Sequence, residues 1–125
     1  MAFRMAALKS ESGGFDPVFG AGAKFAGEDL ELAMRCLLAG WEGRYSPRVV
    51  VRHDHGRSAA TYAKLEAFYD EGVGAYIEKL QNDKRCGLLT RISIAAYLAR
   101  LGWRSRTSLM RVHSGRRLYA STVKR

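Results

Sequence analysis

The sequence predicts an α/β fold with two or so short strands and a mostly helical C-terminal half. Three observations carry this expectation. Val49, Val50 and Val51 form a continuous β-branched run, as in a strand covered on both faces. Residues 2–5 read as a second short strand. Between and beyond them, apolar residues recur at helical spacing.

In chain order, the first strand leads into a brief helix over residues 6–10, and Gly13-Gly14 breaks the chain. Residues 15–26 form a loop, because Pro17 and the glycines oppose regular structure. A helix then opens at Glu28 and Asp29, whose carboxylates suit the positive end of the helix dipole. Leu30, Ala33, Met34, Leu37 and Leu38 share a face, and Gly40 is a stop signal. Residues 44–52 read as the second strand. A long helix follows over residues 58–80, weakened at Gly72 and Gly74 by roughly 1 kcal/mol each. Leu88, Leu89, Ile92, Ala95, Ala96 and Ala99 mark another helix. Two short strands do not make a stable buried sheet. Either the protein is mostly helical with a small sheet, or the rest of the sheet lies elsewhere.

A chain of 125 residues, 47% hydrophobic and 26% charged, has the make-up of one ordinary folded domain with a modest core. Cys36 and Cys86 are far apart and read as free thiols in a reducing compartment. No signal peptide is expected, since residues 1–10 contain no long apolar run. The longest apolar stretch, residues 88–99, is interrupted by Arg91 and Ser93. It falls short of the about 20 residues a membrane span needs.

Charge divides the chain. Residues 1–83 hold 10 Lys/Arg and 12 Asp/Glu, whereas residues 84–125 hold 11 Lys/Arg and no acidic residue. A tail of net +11 suits an anionic partner such as phospholipid or nucleic acid.

The order Met1-Ala2-Phe3-Arg4, Gly13-Gly14-Phe15-Asp16, Gly20-Ala21-Gly22, Gly27-Glu28-Asp29-Leu30-Glu31-Leu32, then Arg35, Gly40, Tyr45, Pro47 and His53, resembles the second half of family 2 glycosyltransferases. The resemblance divides the chain into residues 1–57, the C-terminal half of a GT-A domain, and residues 58–125, a helical, basic extension. It implies a partial Rossmann-like sheet and an inverting sugar transfer from a nucleotide-sugar donor to a hydroxyl acceptor, in polysaccharide or glycolipid synthesis. Asp29 matches the family's general base, and Glu28 would border the acceptor pocket or orient the helix start. A base assists because an acceptor hydroxyl must lose its proton as it attacks, which is worth roughly 10²–10⁴-fold. Acidic residues in a first turn also stabilise a helix with no catalysis at all. Glu31, one turn further in, reads as a solvated surface residue.

By the same resemblance, His53 binds a divalent metal, Mn²⁺ or Mg²⁺, or the donor diphosphate, with His55 a weaker candidate. The alternative is polar capping of a loop, since alternate residues of an extended segment point to opposite sides. Gly20, Ala21 and Gly22 form a loop that either lets backbone approach a sugar or is simply flexible. Arg57 meets phosphate or is solvated. The family's Asp-x-Asp, which holds metal and donor, occurs nowhere in the chain. A truncated reading frame, a mis-assigned start or one piece of a split enzyme, partnered by a separate donor-binding chain, is therefore expected. The alternative function is a non-catalytic basic module on anionic membrane through residues 84–125, with Trp103, Arg100, Arg104 and Arg106 on an interfacial helix. An exposed or disordered basic end is the other reading of that tail. Nucleic acid ranks last among partners. The expected location is cytoplasmic, peripheral at the inner face of the plasma membrane.

Overall fold

A computed structural model describes residues 2–10, 14–52 and 59–123. Its elements are five helices: α1 (Met5–Ser10), α2 (Glu28–Leu38), α3 (Ala59–Asn82), α4 (Leu88–Arg104) and α5 (Arg106–Val123). No strand forms among the described residues, so the expected α/β, partial GT-A fold is corrected to a helical one. Residues 2–4 are irregular and Met5 already begins α1. Val49, Val50 and Val51 lie open to solvent, Val50 being 81% exposed. A β-branched run favours extended backbone, but a strand also needs a neighbour to take its N–H and C=O groups. Within the described residues the one ladder-like contact is an isolated parallel bridge between Phe19 and Phe25.

The helices follow local rules. α2 ends in a Schellman motif: the Gly40 N–H donates to the Leu37 carbonyl and the Trp41 N–H to that of Cys36, both at 3.0 Å. Gly40 takes the left-handed conformation this turn requires, with φ 88°. Trp41 then packs on the cluster of Ala7, Leu32 and Cys36 that joins α1 to α2. Between α4 and α5 the chain breaks at Ser105, whose backbone is extended. Its hydroxyl accepts the Ser108 N–H at 3.1 Å, capping α5.

The principal packing joins α3 to α5. The two run in the same direction, as the pairs Glu66 with Arg111, Glu71 with Gly115 and Ala75 with Tyr119 advance together along both. Their backbones touch. A Cβ on Gly74 would collide with the Val112 carbonyl, and one on Gly115 with the Glu71 carbonyl. The helix-weakening glycine at position 74 is thus a packing device. α4, which joins them in sequence, closes a core of Ile77, Leu80, Cys86, Ile94 and Val112.

A third core is aromatic. Phe19 and Phe25, from the loop before α2, meet Tyr119 of α5 with ring centroids 5.8–6.1 Å apart, over Ala75 of α3. Residues on both sides of the expected boundary at Arg57 therefore share one core. Cys36 and Cys86 are both buried free thiols.

Candidate functional site

The loop of residues 18–25 is folded back on itself. The Gly20 N–H donates to the Phe25 carbonyl at 2.8 Å, and the Phe25 N–H to that of Val18 at 3.1 Å. Gly20 and Gly22 both have positive φ, and Ala21 is exposed at the tip between them. Phe19 and Phe25 anchor the base of this loop in the aromatic core. Its rim is thereby set beside the start of α2, where Gly20 lies against the Glu28 side chain.

α2 opens at Gly27, in the left-handed region at φ 100° and with no side-chain cap. Glu28, Asp29 and Glu31 occupy the first turn. Asp29 is exposed, and one of its carboxylate oxygens accepts the Leu30 N–H at 2.8 Å. Of the sequence-expected residues, the structure brings Glu28 against the buried Gly20, while Ala21, Gly22 and Asp29 are exposed. The metal candidates His53 and His55, and the phosphate candidate Arg57, lie outside the described residues. Among the described residues no group of three or more His, Cys, Asp or Glu side chains could hold a metal ion.

The expectation for Glu31 is corrected. It is 2% exposed and sits at the centre of a buried ionic network. Its carboxylate takes the Arg35 guanidinium in a two-pronged bond, Nε to Oε1 at 2.6 Å and the terminal nitrogen to Oε2 at 2.9 Å. Lys79 of α3 reaches Glu31 Oε1 at 2.5 Å and Asp16 Oδ2 at 2.6 Å. Arg35 also donates to the Gly14 carbonyl, and the Val18 N–H donates to Asp16 Oδ1 at 2.9 Å. Two carboxylates and two cations balance, so the network is neutral as a whole. Burial opposes ionisation of Asp16, yet Lys79, the Val18 N–H and Arg35 together hold its carboxyl below the ordinary value. Nearby, burial and the charges of Asp16 and Glu31 push the Tyr119 hydroxyl up to about 12.

This network ties the Gly-Gly-Phe-Asp and Gly-Glu-Asp-Leu-Glu stretches to α3. Its role is to fix the α2 start and the preceding loop, leaving Asp29 free to face solvent. One signal for it was legible: Glu31 and Arg35 stand four residues apart with the acid first, the favourable orientation for a helix ion pair. Nothing local marks Lys79 or Asp16 as partners, because they are 63 residues apart in sequence.

A large groove lies elsewhere. It has a volume of about 850 Å³ and runs between α1, α2 and the segment after it, lined by Phe3, Arg4, Cys36, Leu37, Trp41 and Arg44. Neither Glu28 nor Asp29 borders it. Comparison of the chain with protein-family models, with curated proteins and with solved structures gave no match.

Proposed function

We propose that this chain supplies the acceptor side of an inverting glycosyltransferase, with Asp29 as the general base. The observation that carries the reading is the placement of Asp29. It stands in the first turn of α2, exposed, oriented by the Leu30 N–H, and next to a Glu28 side chain that packs on the Gly20 loop. A carboxylate so placed can accept the acceptor's hydroxyl proton. The hydroxyl oxygen then forms its bond to the anomeric carbon, and the nucleoside diphosphate departs with the bonding pair. The reading rests on motif order and on this local geometry, and makes no use of a Rossmann-like sheet.

A divalent metal in such a reaction neutralises the leaving diphosphate. The described residues form no cluster suited to it. Donor binding belongs to another segment or chain, so the isolated chain is expected to transfer no sugar from a nucleotide-sugar donor.

The test is genetic and chemical together. The natural gene is replaced by Asp29→Asn and, separately, deleted, and surface polysaccharide and glycolipid are profiled. Both strains should lose the same glycan. With a donor-binding partner present, transfer by Asp29→Asn should fall by roughly 10²–10⁴-fold. An unchanged glycan profile in the deletion strain overturns the reading. Robust transfer by Asp29→Asn overturns the assignment of the base.

A further inference from the structure

The outward face of α4 is a continuous apolar stripe. Leu88, Leu89, Ile92, Ala96, Ala99 and Trp103 are all exposed, Trp103 by 92%. Their spacing of three, four and seven residues puts them on one side of the helix. The opposite side carries Ile94, Leu98 and Leu101 into the core against Leu80 and Val112. α4 is thus apolar on two faces, and the protein covers one of them.

Cations edge the stripe. Arg100 and Arg104 follow it along one side, and both are exposed with no acidic partner among the described residues. Lys84, just before α4, and Arg106 and Arg117 on the exposed side of α5 are likewise exposed and unpaired with any described acid. Residues 84–125 contain no acidic side chain at all. The tail's other described cations are taken up internally. Arg111 faces Glu66 and Asp70, Arg116 bonds Glu78 and Gln81, Arg85 bonds Asp83, and Arg91 donates to the Gln81 and Cys86 carbonyls.

We propose that α4 lies in the plane of an anionic phospholipid bilayer, with this stripe in the interface and the flanking arginines on the headgroups. Charge and apolarity both point to that occupant. Exposed apolar residues framed by Arg, with Trp at the boundary, match the chemistry of an interfacial helix. The 17 residues of α4 give a helix about 26 Å long, and no helix among the described residues is long and apolar enough to cross the membrane. A second copy meeting the stripe face to face would oppose two surfaces of like charge. Nucleic acid would engage the arginines but gain nothing from Leu88, Leu89 and Ile92. The inference is independent of the catalytic reading of α2.

The test is flotation of the full chain with vesicles of phosphatidylcholine alone and with about equal parts of phosphatidylglycerol. The chain should float with the anionic vesicles only, and Trp fluorescence should shift to the blue and be quenched by brominated lipid. Trp103→Phe should remove that shift. Leu89→Ser with Ile92→Ser should weaken binding at least about tenfold. Arg100→Gln with Arg104→Gln should weaken it by roughly fivefold per charge. All five positions are exposed, and an unchanged helical circular dichroism spectrum confirms that each variant is folded. No flotation with anionic vesicles overturns the proposal. So does flotation that the serine variants leave unchanged, duplex DNA binding tighter than vesicle binding, or a lipid-free dimer that the serine variants dissolve.

Discussion

Glu31 and Asp29 stand two residues apart in one helical turn and meet opposite environments. Two helical steps turn a side chain by about 200°, so one carboxylate faces the protein when the other faces water. Glu31 joins Arg35, Lys79 and Asp16, where its charge offsets two partly buried cations. Glu31→Gln should therefore cost about 3 kcal/mol, because it removes the buried carboxylate that both Arg35 and Lys79 contact. Denaturant unfolding checks this, against an expected change within about 1 kcal/mol for exposed Asp29→Asn. Asp16 gives a pH signature. Its folded carboxyl lies below the ordinary value of 3.8, so its stabilisation is complete well above that value and is lost as the pH falls through and below it. Asp16→Asn should have a lower melting temperature than the natural chain at pH 7, and the gap should narrow as the pH falls below 3.8.

At the scale of the elements, the contact between α3 and α5 depends on what two positions lack. Gly74→Ala and Gly115→Ala each press a methyl into a facing carbonyl and should cost roughly 1–3 kcal/mol, with a corresponding fall in melting temperature. Gly87→Ala, where the added methyl meets open space, is the control and should cost less than about 1 kcal/mol, the penalty for alanine at the α4 N-cap. Helix propensity alone ranks these changes the other way, since alanine favours a helix interior over glycine. The outcome therefore separates packing from propensity. The helices α2, α3 and α4 were legible in apolar periodicity, and the α2 stop in Gly40. α5 was not, because its buried side consists of Ser108, Val112, Gly115 and Tyr119, too small and polar a set to stand out. Its order comes from α3, which supplies the surface that Gly115 and Tyr119 fit.

For the whole molecule, the valine run separates an α/β fold from a helical one. In a covered sheet, replacing Val49, Val50 and Val51 together by Thr would bury three hydroxyls and cost several kcal/mol. In the helical fold these side chains are exposed, and the triple variant should unfold within about 0.5 kcal/mol of the natural chain for each substitution. Equilibrium denaturation measures the difference. The division of charge acts at the same scale. Acidic residues of α3 neutralise the inner cations of α5, and what remains outside is cationic around the bare face of α4.

By itself the sequence determined the helices α2, α3 and α4, the opening of α2 at Gly27-Glu28-Asp29, and a tail without acidic residues. These are properties of neighbouring residues: caps, dipoles and spacing act within a turn or two. Only the tertiary structure decided that the valines find no strand to pair with, that Gly74 and Gly115 let two backbones touch, and that Glu31 turns inward while Asp29 turns out. Sequence fixes the angle between two side chains on a helix. Which of them points inward depends on an element brought there by contacts between residues far apart along the chain, and Lys79 of α3 is that contact here.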